Sequence, residues 1–154
     1  MNYWDKKVIR EQLDKRLAFL KDFASSGMPQ QGWIKAIREA LGLSASQLGI
    51  KTGIDQSRIS RLENAEKTGD LKLSSLQKIA KGLNMKFVYG FVPEDTLEAM
   101  VREQAKRIAL KRLKTLDNTM RLEKQALSNE EQKKALGDMI EKIAIDNLKD
   151  FWDE

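Results

Sequence analysis

The sequence ASQLGIKTGIDQSRISRLEN, residues 45–64, has the pattern of two short helices joined by a tight turn. Gly49 supplies a small residue where the second helix would cross the first, and Gly53 suits a turn that needs a positive φ. Ile59 is a β-branched apolar residue that can plug the second helix into a core. Because the spacings of four and six between these three residues are those that the motif requires, the stretch predicts a helix-turn-helix.

The second predicted helix would present a polar face on the side opposite Ile59, at about 100° per residue. Glutamine and arginine can hydrogen-bond to the edges of adenine and guanine, whereas phosphate contacts position a protein without specifying a sequence. The face has no carboxylate between Gln56 and Leu62, which favours a DNA-binding face over one that is merely solvated. The predicted DNA-binding residues are Ser44, Ser46, Lys51, Gln56, Ser57, Arg58, Ser60 and Arg61, of which Ser44, Ser46, Lys51 and Arg58 suit phosphates.

Composition excludes several classes of function. The chain has 154 residues, with no cysteine and no histidine. It therefore lacks thiolate zinc ligands, thiol nucleophiles and the commonest general base. No carboxylate pair in a defined pocket and no phosphate-binding glycine loop is recognisable in the sequence. We therefore expect a protein that is not an enzyme and that has no cofactor and no metal site.

Charge is distributed unevenly along the chain. Lys and Arg exceed Asp and Glu by 28 to 23 overall, and by 10 to 5 within residues 33–92. From residue 128 to the end the balance reverses, with 4 basic and 8 acidic side chains. A basic centre favours double-stranded DNA as a partner, and the acidic end indicates a different partner. No apolar run reaches the roughly 20 residues of a membrane helix, so we expect a cytoplasmic protein with no membrane partner.

The composition also favours helices, since Ala, Leu, Lys and Glu are abundant and there are only nine Gly and two Pro. We expect a mainly α fold in three parts: an N-terminal helix with a linker over 1–31, a helix-turn-helix domain with a terminal strand over 32–93, and C-terminal helices over 94–154. The N-terminal helix would pack on the rest of the protein or on a second subunit, or else form an arm that touches DNA. Its apolar face consists of Ile9, Leu13, Leu17, Leu20 and Phe23.

Residues 85–93, MKFVYGFVP, form the only strand-like segment of the sequence. A lone strand leaves its backbone N–H and C=O groups unpaired, so we expect it to pair with the same strand of a second copy. The alternative is that it pairs with a short strand that the sequence does not reveal. The segment therefore predicts a homodimer, and the predicted strand contacts come from Phe87, Val88, Tyr89 and Phe91.

Residues 33–85 resemble the XRE family of phage-type repressors, in which the second helix of the motif often carries a phrase like the ISRLEN found here. The resemblance implies a domain of five short helices. It also implies that Arg38, in the first of these helices, pairs with Glu63 at the end of the third. Such a pair would tie two helices together rather than read bases.

The flanks are similar to the family called mobile mystery protein A. The similar segments are GWIKAIREALGLS, FVYGFVP followed by LEAMVREQAKRIA, then TMRLEKQALS and the closing FWD. Members of this bacterial family are encoded beside mobile mystery protein B, a Fic-domain toxin that transfers AMP from ATP onto hydroxyl groups. The resemblance implies an antitoxin that inhibits the toxin and represses its own operon. The alternative is a plain phage-type repressor whose C-terminal helices serve only dimerisation.

A toxin-inhibitory site is suggested by a short pattern near residue 120. Fic proteins are commonly silenced by a helix with Ser or Thr, three residues, Glu, then Gly or Asn, whose glutamate occupies the place of the ATP γ-phosphate. Here Thr119 and Glu123 stand four apart, and so on one helix face, but Lys124 takes the last position. A solvated glutamate in a charged helix is the alternative interpretation.

Overall fold

The computed structural model describes residues 1–120, 128–146 and 150–153, and this part of the chain is mainly helical. The chain divides into two compact units: the central unit, Asp22–Gly90, and the terminal unit, Met1–Lys21 with Phe91–Glu154. No helix within the described ranges is long and apolar enough to cross a bilayer. The described helices are α1 (Tyr3–Ala18), α2 (Leu20–Ser26), α3 (Trp33–Ala40), α4 (Ala45–Thr52), α5 (Gln56–Thr68), α6 (Leu73–Gly82), α7 (Leu97–Met120) and α8 (Asn129–Asp146).

The core of the central unit is built from one or two apolar residues of each of the helices α3 to α6, together with Ile54 between α4 and α5. Helices α3, α4 and α6 have 8 to 10 residues, and helices this short are marginal on their own in water. Each buried aliphatic side chain contributes about 1.5–3 kcal/mol to holding them together. The buried residues are Ile34, Leu48, Ile54, Ile59 and Ile79, with Leu62, Leu76 and Leu83 packed against them.

The central unit differs from the expected layout at its C-terminal end. Residues 32–93 contain four helices rather than five, and residues 85–93 form neither a helix nor a strand within this chain. Helix α6 is closed by Asn84 in the left-handed conformation (φ 55°) and by the Met85 N–H, which donates to the Ala80 carbonyl at 2.8 Å. The β-branched and aromatic residues that follow disfavour a fifth helix. Strand pairing with a second copy stays a prediction.

Small residues bring α7 and α8 together in the terminal unit. Ala105 and Ala109 of α7 are fully buried, and Ile143 of α8 packs against them. The buried Gln104 side chain donates to the Phe151 carbonyl at 2.7 Å, so the described residues near the C-terminus are attached to α7. The acidic first turn of α8 is closed by a capping box between Ser128 and Glu131.

Polar contacts attach α1 to α7, and Tyr3 of α1 packs against the apolar cluster of the terminal unit. The Asp14 carboxylate accepts from the Leu97 backbone N–H at 2.8 Å, and Arg10 Nε donates to Glu98 Oε2 at 2.7 Å. A carboxylate at the first turn of a helix is stabilising because the exposed N–H groups there carry positive partial charge. Leu13, in the predicted apolar face, remains 40% exposed. The single N-terminal helix expected within residues 1–31 is divided in two, because α1 ends at Ala18 and α2 begins at Leu20.

Candidate DNA-binding site

The helix-turn-helix consists of α4, a turn at residues 53–55, and α5. Helix α4 begins with a capping box: the Gln47 N–H donates to Ser44 Oγ at 3.1 Å, and the Ser44 N–H donates to Gln47 Oε1 at 2.8 Å. The helix ends at Gly53, whose left-handed backbone (φ 66°, ψ 29°) turns the chain toward α5. Because glycine has no Cβ, it adopts this conformation at little cost. The local sequence therefore sets both ends of α4.

Gly49 lies where the turn approaches α4. A Cβ built on Gly49 would stand 2.5 Å from the carbonyl oxygen of Ile54, which is closer than carbon and oxygen atoms pack. The Ile54 N–H donates to the Gly49 carbonyl at 3.0 Å and holds the turn at this distance. A glycine inside a helix costs about 1 kcal/mol relative to alanine. Here the close approach of the turn explains why no larger residue occupies the position.

Helix α5 is capped by Asp55. Its carboxylate accepts from the Ser57 hydroxyl and from the Ser57 backbone N–H, the latter at 2.9 Å. These hydrogen bonds lower the pKa of Asp55, and the one from the Ser57 hydroxyl has the largest effect. Because the pKa is lowered by folding, the cap stabilises α5 at neutral pH and is lost as the pH falls through the folded-state pKa. With its proton donated to Asp55, the Ser57 hydroxyl can only accept a hydrogen bond from a DNA base.

All eight predicted DNA-binding residues are exposed to solvent. Ile59 is fully buried on the inner side of α5, so the polar residues around it face outward. Ser60 Oγ donates to the Gln56 carbonyl at 3.3 Å, and Arg61 Nε donates to the Ser57 carbonyl at 3.4 Å. Contacts this long are weak, so both side chains can exchange them for contacts with a ligand. The structure thus gathers Gln56, Ser57, Ser60 and Arg61 on α5, and places Ser44 and Ser46 at the beginning of α4 and Lys51 in its last turn.

A buried ion pair ties α5 to α3. Arg38 donates to Glu63 through Nε at 2.6 Å and through Nη2 at 3.1 Å, and its Nη1 donates to the Leu43 carbonyl at 2.9 Å. The two side chains are only 13% and 9% exposed. The hydrogen bond to Glu63 raises the pKa of Arg38 above its ordinary value. A fork-shaped guanidinium paired with a carboxylate fixes orientation as well as distance, so the pair orients α5 on its support.

A second carboxylate of α5, Glu66, binds the beginning of α3 and was not predicted from the sequence. Its Oε2 accepts from the buried Ile34 N–H at 2.9 Å. Gly32, at the N-cap position, has φ 84° and provides no capping side chain. A Cβ on Gly32 would lie 2.8 Å from this same oxygen, so the glycine makes room for the carboxylate. The signal in the sequence was a helix that begins after a glycine and lacks a capping residue of its own.

Gly82 is another residue whose role was not predicted. A Cβ built on it would stand 2.6 Å from Thr52 Cγ2 and 2.9 Å from the Lys51 carbonyl oxygen. Helix α6 therefore packs directly on the last turn of α4, the turn that carries the exposed Lys51 side chain. Any larger residue at position 82 would displace this turn.

Two other groups of predicted site residues lie outside the helix-turn-helix. Val88 and Phe91, of the predicted dimer strand, are 65% and 84% exposed, while the rings of Phe87 and Tyr89 stack with their centroids 5.9 Å apart. Glu123 lies outside the described residues. Thr119 is at the end of α7, but its side chain is outside the description as well. The predicted toxin-inhibitory site therefore stays a prediction from the sequence.

Comparison with known proteins agrees with the geometry of the central unit. A family model described as helix-turn-helix matches residues 34–89. The match supports the XRE-type helix-turn-helix and, with it, a DNA-binding transcription regulator. No curated protein and no solved structure matches the chain.

Proposed function

We propose that the protein is a sequence-specific DNA-binding repressor that inserts α5 into the major groove. The observation that carries the proposal is the exposed surface of α5, where Gln56 projects from the first turn and Arg61 lies on the side opposite Ile59, with no carboxylate from Gln56 to Leu62. In helix-turn-helix proteins the beginning of the second helix contacts base edges. The buried Arg38–Glu63 pair and the Asp55 cap hold that helix rigidly, which specific recognition requires.

Replacing Arg61 by alanine is expected to reduce discrimination between operator and random DNA by about 1–3 kcal/mol, because a bidentate base contact is lost. Replacing Gln56 or Ser57 should act in the same direction. By contrast, Lys51→Ala should weaken binding to all sequences alike and reduce the salt dependence, because Lys51 is expected to contact phosphate. The measurement is the affinity for a duplex that the protein selects from a random library, compared with that for a scrambled duplex.

The exposed Lys78 of α6 provides the matched control for Lys51. The Lys78→Ala variant makes the same chemical change at a residue that is not among the predicted DNA-binding residues, so its binding should equal that of the unmodified protein. If Gln56, Ser57 and Arg61 could all be replaced without loss of discrimination, α5 would not be the recognition helix.

The proposed repressor is a homodimer joined through residues 86–92. Among the described residues, no backbone hydrogen bond of this chain involves that segment, and its apolar side chains Val88 and Phe91 are exposed. An unpaired segment rich in β-branched and aromatic residues can form a ladder with its twofold mate. Two copies of α5 would then meet two half-sites, and the operator would be an inverted repeat.

A proline at position 88 is expected to shift the protein toward monomer, because it removes a backbone N–H from the proposed ladder. Val88→Thr is the matched control, since it keeps the N–H, the β-branched shape and a high strand propensity. Sedimentation equilibrium at micromolar concentration measures the outcome. A dimer of unchanged stability in the Val88→Pro variant would contradict pairing through this residue.

We further propose that the protein is the antitoxin of a Fic-domain toxin and represses the operon that encodes both. This part of the proposal is supported by the resemblance of the flanking segments to mobile mystery protein A and by the acidic excess after residue 128. Purification of the tagged protein from its native host tests it. Recovery of a Fic-domain protein in stoichiometric amount would support the antitoxin function. Recovery of the homodimer alone would favour the function of a plain repressor.

A further inference from the structure

Helix α7, which lies outside the helix-turn-helix, carries several cationic side chains. Between residues 102 and 115 this helix holds six Lys and Arg residues and a single acidic one, Glu103. All six cationic residues are exposed. Three of them, Arg107, Lys111 and Lys114, form what is called here the basic stripe. At about 100° per residue they lie within roughly 60° of one another, on the side opposite the buried Ala105 and Ala109.

Two of the three cations in the basic stripe, Lys111 and Lys114, lack a carboxylate partner among the described residues. Glu103 lies 4.0 Å from Lys106, and both side chains are half exposed, so this pair is weak. Like charges three or four residues apart on a helix destabilise it by a few tenths of a kcal/mol per pair. Repulsion within the stripe therefore destabilises the isolated helix, and binding of an anionic partner would offset this destabilisation.

We infer that the basic stripe binds phosphates of the same duplex DNA that α5 binds. This inference rests on the proposed function. The chain passes between the two units at residues 21–22 and again at residues 90–91. A duplex bound by α5 is therefore tethered at a high effective concentration relative to α7.

DNA matches the stripe better than an acidic protein surface does. The stripe extends over about 10 Å of helix, at 1.5 Å per residue, and duplex DNA presents one negative charge per ~1.7 Å of its axis. Binding to phosphates releases condensed counterions and requires no particular fit of side chains. Exposed ion pairs between proteins give little free energy without such release.

The test uses a full-length Lys111→Gln/Lys114→Gln variant. Arg107 is kept because it takes part in another contact. The matched control, Lys133→Gln/Lys134→Gln, removes the same charge from exposed positions of α8 in the same unit. Affinities for a random-sequence duplex of about 40 base pairs are measured between roughly 50 and 200 mM salt. Circular dichroism of both variants verifies that their helices are intact.

In the stripe variant, the slope of log affinity against log salt is expected to become less negative by about 1.8, which is about 0.9 for each of the two lost phosphate contacts. The control should keep the slope of the unmodified protein. Preference for the selected duplex over the random one should be unchanged in both variants, because phosphate contacts carry no sequence information.

Equal slopes for the stripe variant, the control and the unmodified protein would overturn the inference while leaving the proposed function intact. A lowered state of association with an unchanged slope would also overturn it and would assign the stripe to contacts between copies. Failure of the proposed function has a different signature, in which the unmodified protein itself shows no preference for any selected duplex.

Discussion

Replacing Arg38 with methionine should destabilise the central unit by about 3–5 kcal/mol, the cost of leaving one member of a buried ion pair without its partner. Arg38 makes three hydrogen bonds, two to Glu63 and one to the Leu43 carbonyl, and all three are lost together. Urea unfolding of the full chain measures the change. Hydrogen exchange of the amides in α3 to α6 assigns it to this unit.

Lys35→Met is the control for this prediction. Lys35 lies on the same helix and faces Glu39 at 3.9 Å, but its side chain is 36% exposed. Removing an exposed pair of this kind should cost less than about 0.5 kcal/mol. The double variant Arg38→Met/Glu63→Leu should recover most of the stability, since no unpaired charge remains. A double variant as unstable as Arg38→Met alone would show that the buried charge is not the cause.

Replacing Ile59 by alanine should cost about 2–5 kcal/mol, because the side chain is fully buried and its removal leaves a cavity between α5 and the core. Ile50 offers a control within the same motif: it is 81% exposed, so Ile50→Ala should change stability by less than about 0.5 kcal/mol. Thermal unfolding of both variants gives the comparison. Equal losses in the two would mean that Ile59 does not anchor α5 in the way described.

DNA binding should follow stability in these variants rather than base recognition. The measured binding of the Ile59→Ala variant is corrected for the fraction of unfolded protein. Its preference between selected and scrambled duplexes should then equal that of the unmodified protein, because Ile59 does not reach the outer face. A loss of preference that persists after this correction would indicate that the cavity reorients α5.

The parts of the fold that depend on neighbouring residues could be predicted from the sequence. Gly53 and the capping residues Ser44 and Asp55 act within three residues of where they stand, so their roles can be inferred from spacing alone. Ile59 belongs to the same short pattern. The positions of α4 and α5, and the polarity of their outer face, follow from these residues.

Contacts between distant residues could not be predicted in the same way. Glu66 and Ile34 are 32 positions apart, and Asp14 lies 83 positions from the Leu97 N–H that it binds. The residues next to such an acidic side chain do not reveal that it caps another helix. Its own helix would form equally well with any solvated side chain at that position. The beginning of α7 shows both cases: Thr96 accepts from the Ala99 N–H, a local contact, whereas the Leu97 N–H donates to the distant Asp14.

The segment at residues 86–92, predicted to be a strand, shows another limit of prediction from one chain. Its residues favour extended backbone, but a β-ladder exists only where two segments meet. The sequence indicates the preference of the segment without indicating its partner. The described chain provides no partner for it, and this is why the homodimer is part of the proposal.

The anchoring of α5 has a consequence for how operator specificity can change during evolution. Ile59, Glu63 and Glu66 are buried on the inner side of the helix. The candidate base-reading residues are exposed, with Gln56 in the first turn and Arg61 on the outer side. Mutations at Gln56 or Arg61 therefore leave the support of the helix untouched. A duplicated copy of this protein could acquire a new operator through a few substitutions on the outer side, with its fold and its thermal tolerance inherited unchanged.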